Sequence, residues 1–180
     1  MRTFKILILL SLMTIRLDAQ TIPFKHDWDM KYLEHDIQFT SKKQAPPPFS
    51  TTGEPQAIMI VGATVLDPSS KNDLKQIVKD EIEGIRKDVS IDEYLETDYK
   101  PEAQIVSYSE NLGNVKLAII KYRTNGVPGG QKTMTRSVRQ ILFIQNGKLY
   151  ISSLVVLFAE DQDNMRYDQM TFIKKILNIN

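Results

Sequence analysis

Hydrophobic and polar positions along this chain change period several times, and each change marks an element. Leu33, His35, Ile37 and Phe39 alternate with polar neighbours, the spacing of a strand with one buried face. Ala57 to Leu66 is almost continuously apolar and β-favouring, as expected of an interior strand. Asp67-Pro68-Ser69-Ser70 stops that strand and offers a helix cap. Leu74, Ile77, Val78, Ile82 and Ile85 then recur at three- and four-residue spacing through about Lys87, which predicts one amphipathic helix. Strands are predicted over residues 104–109 and 115–123. Ile141-Leu142-Phe143-Ile144 and Leu149-Tyr150-Ile151 flank Asn146-Gly147, a pair suited to the positive φ angles of a two-residue hairpin turn. Such a turn sets Gln145 opposite Lys148, Phe143 opposite Tyr150 and Leu142 opposite Ile151. The second hairpin strand is predicted to run on to Phe158. A last helix begins at Asp163, with Met170, Ile173, Ile176 and Leu177 on its core face.

The predicted order is β-β-α-β-β-β-β-α. Short turns between successive strands imply an antiparallel sheet, and two amphipathic helices need its faces to bury their stripes. The expected class is α+β. Residues 41–55 interrupt the pattern, because Pro46-Pro47-Pro48 fits neither a helix interior nor a central strand and reads as a loop or connector.

The first residues change the picture of where the chain goes. Arg2 and Lys5 precede an apolar run from Ile6 to Ile15, and a small residue, Ala19, follows: a secretory leader over residues 1–19. A mature part of about 160 residues remains, organised as an N-terminal segment (20–56) with a strand and the proline-rich loop, and the rest of the same α+β domain (57–180). The leader run is half the length of a membrane span, and no other stretch is long and charge-free enough to be one. The expected location is therefore outside the cytoplasm, periplasmic or secreted. With a net charge of +1 over 180 residues, the chain lacks the basic excess that nucleic-acid binding requires. There is no cysteine, which excludes disulfides, thiolate metal sites and a cysteine nucleophile.

Candidate chemistry is sparse. Gly126-Val127-Pro128-Gly129-Gly130-Gln131-Lys132-Thr133 is one residue from a phosphate-binding loop, but Gln131 stands where glycine is needed and a β-rich stretch follows it. It reads instead as a flexible loop between strands. Gly126, Gly129 and Gly130 with Lys132, Arg136 and Arg123 are the candidate partner-binding residues, a modest cationic patch for a carboxylate, a phosphate or an acidic partner; Lys121 and Arg139 lie nearby. The competing reading is a solvated edge strand carrying protective charges.

The only histidines, His26 and His35, both neighbour carboxylates, and they supply the alternative of a metal-dependent or hydrolytic enzyme. They lack any diagnostic metal spacing, no Gly-x-Ser-x-Gly elbow is present, and His26 is expected at the surface. Trp28 is expected to anchor the N-terminal segment. Asp88, Asp92, Glu93, Glu96 and Asp98 lack calcium-loop spacing and read as a solvated linker.

The mid-chain helix between early and late strand groups, the strand 115–123, the hairpin around Asn146-Gly147 and the closing helix with Phe172-Ile173-Lys174-Lys175-Ile176-Leu177 together resemble the PsbP-like fold family. The resemblance covers residue 33 onward. It implies a sheet between helices, in an exported or lumenal binding and assembly protein with no reaction and no cofactor of its own. The expected partner is another extracytoplasmic protein or peptide.

Overall fold

The computed structural model describes residues 22–47, 53–67, 73–90, 105–125, 135–157 and 160–179. The elements run in the order β1 (Trp28–Tyr32), β2 (Asp36–Ser41), β3 (Ala57–Val65), α1 (Leu74–Ser90), β4 (Val106–Leu112), β5 (Val115–Asn125), β6 (Thr135–Gln145), β7 (Lys148–Val156) and α2 (Gln162–Ile176). The strands form one seven-stranded sheet in the order β1-β2-β3-β7-β6-β5-β4, every pair antiparallel. The class is α+β. One strand exceeds expectation: β1 precedes the predicted first strand, and Leu33 and His35 fall in the turn between β1 and β2. Only Ile37 and Phe39 of that alternating set are buried.

Two meanders meet at the β3–β7 pair. The chain leaves β3, forms α1 and returns at the far edge as β4, then winds back through β5 and β6 to β7. The β6–β7 register is the predicted one, with Phe143 opposite Tyr150 and Gln145 opposite Lys148. Asn146 and Gly147 adopt φ of 51° and 71°, the left-handed values the turn needs. Gln44 bridges Pro55, and the Ala45 amide donates to the Glu54 carbonyl at 2.8 Å, so the loop before β3 doubles back on itself.

Side chains alternate between the two sheet faces, and each face recruits one helix. Leu117, Ile119, Ile141 and Phe143 pack with Ile173 and Leu177 of α2, and Phe39, Met59 and Leu154 pack with Met165 and Phe172. On the opposite face Ala118, Ile120 and Leu142 pack with the α1 stripe of Ile77, Val78, Ile82 and Ile85. Asp73 caps α1, its side chain accepting the Lys75 amide at 3.0 Å; the predicted capping serines, Ser69 and Ser70, lie outside the described residues. At its other end α2 closes on Asn178 (φ 54°), with the Ile179 amide donating to the Lys174 carbonyl. The two helices do not cover the sheet equally. α1 lies over β5 and β6, so the apolar Ile58 and Ile60 of β3 share its face without cover from a helix among the described residues, and Ile60 is 36% exposed.

Candidate functional site

The stripe of α2 that faces the sheet is not purely apolar. Met165, Phe172 and Ile173 are buried there, and so are Asp168 and Gln169, both with no exposed surface. A buried carboxylate needs hydrogen bonds, and the segment leading into β1 supplies them. The Lys25 and His26 amides donate to Asp168 at 2.7 and 2.8 Å, and Trp28 Nε1 donates to Oδ2 at 3.0 Å. Trp28 thus anchors the N-terminal segment, as its isolation in the sequence suggested. Lys25 also sets its ammonium 3.9 Å above the Tyr167 ring.

His26 is buried rather than exposed, because this wrapping carries its ring inside. Nδ1 lies 2.5 Å from Asp161 Oδ2, and Nε2 lies 2.8 Å from Ser41 Oγ. Asp161 occupies the N-cap position of α2 but makes no side-chain cap bond; its carboxylate binds His26 and accepts from Asn164 instead. Asp161, His26 and Ser41 stand in the order of a hydrolase triad. The serine, however, is 5% exposed, and the Lys43 backbone engages its Oγ twice, the amide donating at 3.1 Å and the carbonyl accepting at 3.0 Å. A hydroxyl has one hydrogen. Given to the Lys43 carbonyl, it leaves His26 Nε2 to donate to Ser41, the reverse of a general base. A nucleophile also needs room for a substrate carbonyl and donors for its oxyanion, and a serine this buried has no such room. The chain of bonds is a strut between the N-terminal segment, β2 and α2.

Burial raises the Asp161 carboxyl, but hydrogen bonds from His26 and Asn164 and the charges of His26 and Lys43 outweigh it, leaving it below the ordinary carboxylate value. A depressed folded value stabilises the fold above the unfolded carboxylate value, and that contribution is lost as pH falls through the folded one. The stability gap between the protein and Asp161→Asn is therefore expected to close as pH drops below about 4. Thermal unfolding midpoints across that range check this; a constant gap contradicts it.

Gln169 ties α2 to the sheet centre. Its Nε2 donates to the Ser152 carbonyl at 3.0 Å and lies 3.1 Å from Ser152 Oγ, while its Oε1 accepts from Arg139 at 3.3 Å. The β5–β6 register places Arg123 opposite Ser137, on one face with Lys121 and Arg139, and places Arg136 opposite Thr124 on the other face. Arg136 meets Glu54 at 3.6 Å. The sheet thus separates two arginines that the sequence grouped. Gly126, Gly129, Gly130 and Lys132 lie outside the described residues, as do Asp92, Glu93, Glu96 and Asp98. His35 is exposed beside Glu34, at 3.8 Å, in the β1–β2 turn. Among the described residues no three His, Cys, Asp or Glu side chains gather where they could hold a metal ion. Neither Asp168 nor Gln169 had a sequence signal beyond being polar on a helix stripe.

Open cavities accompany this arrangement among the described residues. One, of about 400 Å³, lies between Ile22, Pro23 and the α2 residues Tyr167, Met170 and Lys174. Another, of about 310 Å³, lies between Leu74 and Val78 of α1 and Ser107 and Ser109 of β4. Among the described residues no helix is long and apolar enough to cross a membrane.

No protein-family model matches the chain, and no curated protein does. Among solved structures it is similar to a Pseudomonas aeruginosa protein of unknown function, given as a candidate regulator. The two share 11% identity over 78% of this chain and 90% of the other, with a TM-score of 0.44. A likeness that distant assigns no function.

Proposed function

We propose that the protein is an exported, non-enzymatic binding or assembly protein of PsbP-like type, whose partner is another extracytoplasmic protein or peptide. The observation that carries this reading is the uneven cover of the sheet. Ile58 and Ile60 belong to an apolar central strand, yet among the described residues no helix lies over them, and Ile60 is 36% exposed. Apolar surface on a rigid sheet, away from its own helices, is the usual ground for protein association. The acid–histidine–serine order offers no competing chemistry while Ser41 stays enclosed. The leader pattern at residues 1–19 supports export.

A photo-crosslinking residue at position 60, introduced in the native cells, is expected to trap one defined protein in the envelope or secreted fraction. The same residue at position 79 on α1 is expected to trap none. Equal labelling from both positions, or none from position 60, overturns the reading. Ile60→Asp is expected to abolish the adduct formed from a neighbouring reporter at position 58, with a stability loss of about 1–3 kcal/mol because Ile60 is only 36% exposed. Urea titration checks the second half of that expectation.

A further inference from the structure

The sheet contains a charge conflict. Lys121 of β5 sits directly opposite Arg139 of β6, on the face that α2 covers, and like charges in that position destabilise a sheet. The neighbours relieve it only in part. Arg139 Nη1 reaches neutral oxygens, the Arg166 carbonyl at 3.4 Å and Gln169 Oε1 at 3.3 Å, both long contacts. Its Nε is buried and finds no partner among the described residues. α2 then adds a third cation, Arg166, whose ion pair with Asp163 spans 3.6 Å and is open to solvent on the Asp163 side. Such an exposed pair contributes little. Lys121 Nζ lies 4.9 Å from the Tyr108 ring centroid, which holds the ammonium at the surface of β4. Burial lowers the Arg139 guanidinium from its ordinary value, Tyr108 and Glu110 oppose that effect, and Arg166 reinforces it. Arg139 is thus a partly desolvated cation, relieved in part by a hydrogen bond with Tyr108 and by the Glu110 carboxylate.

Beside these cations lies exposed apolar surface. Val106 and Tyr108, on the edge strand β4, are 55% and 40% exposed, and alternation along β4 puts both on the same sheet face as Lys121 and Arg139. We propose that this face of β4–β6, beside α2, binds an acidic segment of a partner protein, with carboxylates seated among Lys121, Arg139 and Arg166 and apolar side chains against Val106 and Tyr108. Local rules are broken at binding sites when the ligand supplies a missing term, and here the three cations Lys121, Arg139 and Arg166 share the carboxylates of Glu110 and Asp163. A nucleic acid fits less well, because the chain carries a net charge of only +1 and this patch spans too few cations to follow a phosphate backbone. The inference rests on the binding-protein reading and gives the partner its chemistry.

The probe is a fluorescein-labelled peptide containing six glutamates and two leucines, followed by fluorescence anisotropy with the mature protein at low salt. Lys121→Glu with Arg166→Glu is expected to weaken binding by about tenfold or more. Lys75→Glu with Lys79→Glu, an equal change of charge on exposed positions of α1, is expected to stay within about twofold. Equal losses in the two variants, no binding by the unaltered protein, displacement by millimolar inorganic phosphate, or equal affinity for a single-stranded DNA of the same charge would each overturn the proposal. Lys121→Gln supplies a readout independent of the peptide: it removes the opposed charge and is expected to raise the thermal midpoint, and a lowered midpoint counts against the charge conflict. Failure here leaves cross-linking from position 60 unaffected, since that residue lies on the other sheet face.

Discussion

Asp168→Ala is expected to destabilise the protein by roughly 3–5 kcal/mol, because it takes the acceptor away from three hydrogen-bond donors. The carboxylate has no exposed surface and accepts from Lys25 N, His26 N and Trp28 Nε1, all within 3.0 Å. Alanine would leave these donors facing a cavity, and each buried donor left unsatisfied costs about 1–3 kcal/mol. Water entering the cavity would recover part of that. The loss also has a direction: the segment before β1 is held to α2 by these bonds and by the His26–Asp161 contact. Trp28 fluorescence is expected to report an earlier urea transition than far-UV circular dichroism in this variant, because the segment detaches before the sheet unfolds. Coincident transitions, with a loss below about 1 kcal/mol, would show that the carboxylate is not the anchor. Asp168→Asn is expected to be milder, since its carbonyl oxygen still accepts, but its amide group adds a donor where only donors converge.

Phe172→Ala is expected to cost about 3–5 kcal/mol, as for other buried phenylalanines reduced to alanine. The ring is 1% exposed and packs edge-on against Phe39 at 4.9 Å, and Phe24 reaches both rings from the N-terminal segment. One substitution therefore opens a cavity shared by α2, β2 and the chain entering β1. The double variant with Phe39→Ala is expected to lose less than the sum of the single losses, because the two rings line the same space. Equilibrium denaturation of the four proteins gives the coupling; strict additivity would mean that the contact contributes nothing of its own.

The two predictions concern the same junction, and little of it was legible in the sequence. The Asn146-Gly147 turn, the α1 stripe and the antiparallel order were readable because each depends on residues a few positions apart. β1 was not. Trp28, Met30 and Tyr32 alternate with Asp29 and Lys31 as a strand should, but the run is only five residues long and none of its side chains is fully buried, so its apolar signal is weak. From the sequence His26 belongs at the surface, because it falls just after the leader, where chain ends are normally solvent-exposed. Its partners come from 135 and 15 residues away, and no local pattern contains them. Asp168 and Gln169 were hidden for a related reason: on a helix of mixed polarity, a buried polar residue and a solvated one look alike until its partners are in place.

The cationic residues make the same point about register. Arg123, Arg136 and Arg139 are close in sequence or opposite in the hairpin, and composition alone gathers them into one patch. Side-chain alternation divides them, sending Arg136 to Glu54 and leaving Arg139 with Lys121, while α2 contributes Arg166 from a distant part of the chain.

By itself the sequence determined the α+β class, the position and register of the β6–β7 hairpin and the amphipathic character of both helices, because hydrophobic period and turn chemistry act over a few residues. Only the tertiary structure decided which charges meet, which histidine is buried, and which part of the sheet stays uncovered. Those outcomes depend on groups brought together across fifteen to more than a hundred positions, where the need to pair most buried polar atoms, and not any local preference, selects the arrangement.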